Sequence, residues 1–83
     1  MSYQILLDER ALIEWGKLPQ ADYEAVQSAI LTLRREPRPL GSLKLVERDS
    51  WHWRVGRYRL VYEVDDERQE ITVLGIRPRF VLR

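Results

Sequence analysis

Apolar residues recur at helical spacing in the first half of the chain and alternate with polar ones in the second. "YQILL" (3–7) is a short apolar run and reads as a strand. Asp8 stands where a side chain can accept from the free amides of a first helical turn. In "ERALIEWGKL", Ala11, Leu12, Trp15 and Leu18 recur every three or four residues, which predicts a helix; Gly16 weakens it, and Pro19 ends it or starts the next. In "QADYEAVQSAILTLRRE", Val26, Ala29, Ile30 and Leu33 form one stripe, followed by Arg34, Arg35 and Glu36 in a polar last turn. Two helices joined by a short link make an αα-hairpin. The prolines and glycine of "PRPLGS" (37–42) predict a loop.

The remainder predicts strands. "LKLVE" (43–47) is short. "WHWRV" (51–55) puts Trp51, Trp53 and Val55 on one face, and His52 and Arg54 on the other. "YRLVYEV" (58–64) sets Tyr58, Leu60, Tyr62 and Val64 against Arg59, Val61 and Glu63. The acidic "EVDDERQE" (63–70) looks like a hairpin connection, and "EITVLGIR" (70–77) is a final strand. The order β-α-α-β-β-β predicts an α+β domain with two N-terminal helices packed on a twisted antiparallel sheet. The aromatic positions, including Tyr58, Tyr62, Trp51 and Trp53, have core parity. The uncovered face carries His52, Arg54 and Arg59, and parity counted from Ile71 adds Arg77 and Arg79, with Gly75 and Pro78 as places where a bulge could change the count.

Composition bounds what this face can do. The 83 residues form one domain (1–83), burying about 60–65% of the unfolded surface. There is no cysteine, so disulfide and thiolate chemistry are absent, and a single histidine is too little for a zinc site. No serine sits in a nucleophile elbow, no glycine-rich loop is present to cradle phosphate, and "VDDE" lacks the spacing of a calcium loop. The start has no secretory pattern, and no apolar run approaches the roughly 20 residues of a membrane span, so a soluble, cytoplasmic protein is expected. The net charge is only +1, yet Trp51–Tyr62 and Ile71–Arg83 each hold three arginines and no carboxylate. Arginines on an open sheet face are often plain solvated side chains, and some can pair across strands with Glu63, Asp65 or Glu70. Taken together they fit that description less well than they fit an anion site, since guanidinium groups suit bidentate phosphate binding. With one imidazole and nearby aromatics, the kit matches RNA binding and metal-free RNA cleavage, in which a 2′-hydroxyl attacks the adjacent phosphate.

Three segments carry a resemblance. "MSYQILLDERALIEWGKLP", "GRYRLVYEVDDE" and "ITVLGIRPR" resemble, in order and spacing, the RelE toxins of the RelE/ParE toxin–antitoxin superfamily. The resemblance implies a microbial RNase-like α+β fold, a ribosome-dependent endoribonuclease that cleaves mRNA in the A site, and a cognate antitoxin partner. It implies no cofactor and no metal. The family's essential arginine falls on Arg59, its second arginine on Arg79, and its pair of strand lysines on His52 and Arg54. Lys44, Arg57 and Arg77 are expected to contact the RNA backbone. The family places a catalytic tyrosine beyond the second arginine, whereas no tyrosine follows Tyr62 here. His52 is the substitute proton-transfer group, its imidazole having an ordinary pKa of about 6.5. The alternatives are a weak nuclease, a toxin that acts by occupying a ribosomal site, a ParE-like toxin that binds gyrase without hydrolysis, or an inert domain kept for its antitoxin.

Overall fold

The computed structural model describes residues 2–45 and 49–78. β1 (Gln4–Leu7) leads into α1 (Glu9–Gly16) and α2 (Gln20–Arg35), followed by β2 (Leu43–Lys44), β3 (Ser50–Val55), β4 (Tyr58–Asp65) and β5 (Glu70–Pro78). The five strands form one sheet in the order β1-β5-β4-β3-β2. β2 to β5 are antiparallel, as expected, but β1 joins the far edge parallel to β5, with Ile5 opposite Ile71. A parallel neighbour needs a long crossover, and here the two helices and three strands between β1 and β5 supply it. No helix among the described residues is long and apolar enough to cross a membrane.

Local chemistry sets the element ends. The Asp8 carboxylate accepts from the Arg10 amide at 3.3 Å and caps α1. Pro19, with φ −57°, precedes the first turn of α2, where a missing amide hydrogen costs nothing. The two helices are locked by Trp15, which stacks on Tyr23 at 4.7 Å and donates its indole hydrogen to the Tyr23 carbonyl at 3.1 Å. β3 and β4 are joined by the two residues Gly56 and Arg57. Gly56 has φ +59°, the first-position requirement of a II′ hairpin turn. Asp66–Gln69 form the β4–β5 turn, as the acidic stretch predicted.

Ala11, Val26, Ala29, Ile30 and Leu33 from the helices bury against Leu60, Tyr62, Val64, Ile71, Val73 and Ile76 from β4 and β5. Trp51, Trp53, Val55 and Tyr58 pack at its margin. Leu12 does not join them: it is exposed, because α1 presents Ala11 and Trp15 inward and turns Leu12 toward solvent. The helices thus cover one face of the sheet and leave the other free for the arginines.

A polar clamp that the sequence does not announce secures the 37–42 loop. Arg38 pairs with Asp49 at 2.9 Å and Asp66 at 3.0 Å, and its guanidinium lies 5.3 Å from the Trp51 ring centre. Asp66 also accepts from the Tyr3 hydroxyl at 2.7 Å, and Asp49 from the Trp51 indole at 2.7 Å. The bonds from Arg38 and then Tyr3 hold the Asp66 carboxyl below its ordinary range, so the clamp stays charged as the pH falls. Single exposed pairs contribute little, but this network joins four chain segments at one point.

Candidate nucleic-acid interface

The open face is a grid set by strand register. Arg54 lies opposite Arg59, and Arg59 opposite Arg77, giving a row of three guanidinium-bearing positions across β3, β4 and β5. Adjacent strands are about 4.7–4.9 Å apart, and like charges directly opposite one another are destabilising. The next row is His52, Val61 and Gly75, and the one beyond is Ser50, Glu63 and Thr72. Among the described residues neither Arg54 nor Arg59 forms an ion pair, and the Arg59 Nε is buried without a hydrogen-bond partner. A sequence that tolerates three facing cations is giving up stability for a charge pattern.

Arg77 reaches this row because of a bulge. Val61 pairs with Gly75 and Tyr62 with Val73, so Leu74 has no residue opposite it. Parity counted from Ile71 predicts Arg77 on the uncovered face together with Ile71. Ile71 and Val73 are instead buried against the helices, so unbroken alternation would carry Arg77 into the core. The extra residue reverses the count, placing Ile76 inward and Arg77 outward, and the irregularity lies beside Gly75, one of the two positions the sequence flagged. Gly75 then leaves space for the Arg77 side chain. A Cβ there would stand 3.1 Å from Arg77 Nε and 3.2 Å from its Nη2.

Glu14, on α1, completes the geometry. β1 pairs only as far as Val73, so the later edge of β5 is left for α1 to cover. The Ile76 amide donates to Glu14 Oε1 at 2.8 Å, and Arg77 Nε lies 3.9 Å from Oε2. Arg10 approaches the same carboxylate at 3.5 Å. The spacing of α1 marks Glu14 only as an i, i+4 partner of Arg10, while its partners on β5, Ile76 and Arg77, lie some sixty residues away.

A cavity of about 490 Å³ opens on this face, lined by Gly41, Leu43, His52, Trp53, Arg54 and Arg59. His52 Nδ1 is buried in it without a partner. Burial, then the Arg59 and Arg54 charges, push the imidazole below its ordinary pKa. The ring is therefore held neutral at physiological pH, the state a proton acceptor needs.

Two expected contacts fall elsewhere. Lys44 pairs with Trp51 in the register, which puts it on the helix-covered side, and its ammonium lies 5.9 Å from the Trp51 ring centre. The residue beside His52 on the open face is Leu43, one position earlier, because β2 enters with the opposite phase. Arg57 is tied to the helix layer: its Nη2 meets Asp22 at 2.9 Å, and the Tyr58 hydroxyl donates to the same carboxylate at 3.4 Å. Arg79 lies outside the described residues.

Comparison with known proteins agrees with this architecture. Residues 5–79 match the family model described as the ParE toxin of the type II toxin–antitoxin system parDE. The chain is 32% identical over 81 residues to the mRNA interferase toxin RelE of Escherichia coli K12, covering 95% of this chain and 85% of that one. It superposes on the toxin in the intact E. coli RelBE toxin–antitoxin complex with a TM-score of 0.85 at 28% identity, covering 99% of this chain and 100% of that one. The archaeal RelE–RelB complex of Pyrococcus horikoshii gives 0.85 at 25% identity, with 99% and 100% coverage. Sequence, fold and topology together make this chain a member of the RelE/ParE family of type II toxin–antitoxin toxins.

Proposed function

We propose that this toxin is a ribosome-dependent endoribonuclease that cleaves mRNA in the A site. The observation that carries the reading is the row Arg54–Arg59–Arg77 beside a neutral-biased His52 on one open sheet face. The RelE relatives named as mRNA interferases support the same chemistry. The His52 imidazole takes the proton of the 2′-hydroxyl as its oxygen bonds to phosphorus. The P–O5′ bond breaks, and the 5′-oxygen leaves with a proton from solvent. The product carries a 2′,3′-cyclic phosphate. Arg54, Arg59 and Arg77 hold the phosphate and balance the charge that builds on its oxygens. Arg79, two residues further on, is assigned to the same work by resemblance. The charge stabilisation comes from guanidinium groups already in place. The partner that restrains the toxin is a cognate antitoxin, as in the related complexes.

The second reading, a gyrase-binding toxin, is favoured by the name of the matching family model alone. One fold serves both roles. Translation of a reporter mRNA and DNA supercoiling by gyrase, each assayed with purified protein, separate the two. Truncated mRNA with unaffected supercoiling supports the nuclease. Intact mRNA with blocked supercoiling overturns it.

Two variants test how Arg77 is held. Glu14→Gln keeps an acceptor for the Ile76 amide but removes the charge beside Arg77. Cleavage is expected to fall about tenfold, the size of one charge-assisted contact, while the urea midpoint barely moves. In an Arg77→Ala background the same change is expected to have no further effect, since Glu14 acts through Arg77. Gly75→Ala puts a methyl group where the Arg77 side chain lies, so it is expected to slow cleavage severalfold with little change in thermal stability.

A further inference from the structure

The cavity that holds His52 and Arg59 has a side that phosphate chemistry does not use. Leu43 lies across the pairing from His52 and is 60% exposed, although an aliphatic surface left in water forgoes about 25 cal/mol per Å². Gly41, with φ +96°, presents bare backbone in the same wall, and a Cβ built there would sit 3.7 Å from Trp53 Nε1. The missing side chain therefore leaves the indole edge reachable from the cavity. Trp15 donates its indole hydrogen to the Tyr23 carbonyl, and Trp51 donates to Asp49. Trp53 Nε1 has no acceptor among the described residues. Tryptophan N–H groups usually find a partner when buried, so this half-buried donor is available to a ligand. β2 contributes only two residues and leaves β3 uncovered beyond His52, which opens the wall. Arg38, clamped to Asp49 and Asp66, fixes the loop that carries Gly41.

An exposed aliphatic side chain, an unpaired ring donor and a guanidinium plane, all beside an anion site, suit a flat ring that accepts hydrogen bonds and carries a phosphate. We propose that Gly41, Leu43 and Trp53 form a nucleobase subsite for the nucleotide next to the phosphate held by Arg54 and Arg59. The base packs on Leu43, Trp53 Nε1–H donates to its edge, and the fit biases which sequence is cut. This subsite rests on the RNA-cleaving reading, because it presumes that the adjoining arginines hold an RNA phosphate.

Titration of the ¹⁵N-labelled toxin tests it without ribosomes. The probes are adenosine 3′-monophosphate, cytidine 3′-monophosphate, ribose 5-phosphate and inorganic phosphate, each at millimolar concentration. The Trp53 indole signal is assigned by its loss in Trp53→Phe. The nucleotides are expected to shift the Trp53 indole and the His52 ring signals, leaving Trp15 and Trp51 in place. Ribose 5-phosphate and inorganic phosphate are expected to shift His52 alone. A Trp53 signal that stays fixed while His52 responds overturns the subsite and leaves the phosphate site standing. The same holds for a Trp53 signal that moves equally with ribose 5-phosphate. No response from either residue overturns both. On programmed ribosomes, Leu43→Ser is expected to change the ratio of rates between favoured and poor codons by about tenfold, the size of one lost base contact. A uniform slowing at every codon means that Leu43 is structural and overturns its place in the subsite.

Discussion

Replacing His52 with alanine is expected to slow mRNA cleavage by about 10²- to 10⁴-fold, the usual contribution of a positioned proton-transfer group. The pH profile makes the prediction specific. Burial and the neighbouring Arg59 and Arg54 disfavour the imidazolium, so His52 loses its proton below the ordinary value of about 6.5. A base works only when neutral. The wild-type rate should therefore rise along an acid limb with its midpoint below about 6.5 and be flat at neutral pH. His52→Ala should lack this limb, and Arg54→Gln, by removing one repelling charge, should move its midpoint upward. Stability follows the same sign. The unfolded chain binds the His52 proton more readily than the folded one, so folding weakens as the pH drops below about 6.5, and His52→Ala removes that part of the loss. Rates measured from pH 5 to 8 on all three proteins check this, and a wild-type acid limb that survives in His52→Ala would assign the proton transfer to another group.

Replacing Tyr62 with alanine should destabilise the fold by about 3–5 kcal/mol, as deletions of buried aromatic rings do. The Tyr62 side chain is fully buried at the centre of the core. Its hydroxyl donates to the Pro37 carbonyl at 2.8 Å, and burial pushes its pKa up to about 12, so it remains a neutral donor under ordinary conditions. Tyr62→Phe keeps the ring and strands that carbonyl, which should cost about 1–3 kcal/mol. Small domains have only about 5–15 kcal/mol of stability to lose, so the alanine variant should give up a large share of it and melt well below the wild type. Tyr62 also borders the β4–β5 irregularity that phases Arg59 against Arg77. Urea unfolding of both variants checks the values, and equal losses in the two would show that the hydroxyl, rather than the ring, supplies the stability.

Strand faces were legible where alternation was unbroken. Trp51, Trp53 and Val55 against His52 and Arg54, and Leu60, Tyr62 and Val64 against Arg59, follow from a period of two and from burial on one side. The stripe of Val26, Ala29, Ile30 and Leu33 was equally plain, since all four are buried. The rest depends on tertiary register. The side on which Arg77 falls turns on one unpaired residue, Leu74, and alternation cannot announce it. Lys44 and Leu43 exchange faces because β2 is two residues long and takes its phase from β3. Asp22 claims Arg57 across 35 positions of sequence, and Glu14 reaches Ile76 across 62, distances over which local patterns carry no information. The parallel partnership of β1 with β5 is likewise invisible in a four-residue apolar run.

Primer extension on a defined mRNA, translated with and without the purified toxin and repeated on naked RNA, tests the central claim most directly. Discrete cuts at A-site codons, seen only with ribosomes and lost in Arg59→Ala and His52→Ala, are the predicted result. Full-length mRNA in every lane, from protein that still arrests growth, would contradict it and leave the arginine face a binding surface without hydrolytic chemistry.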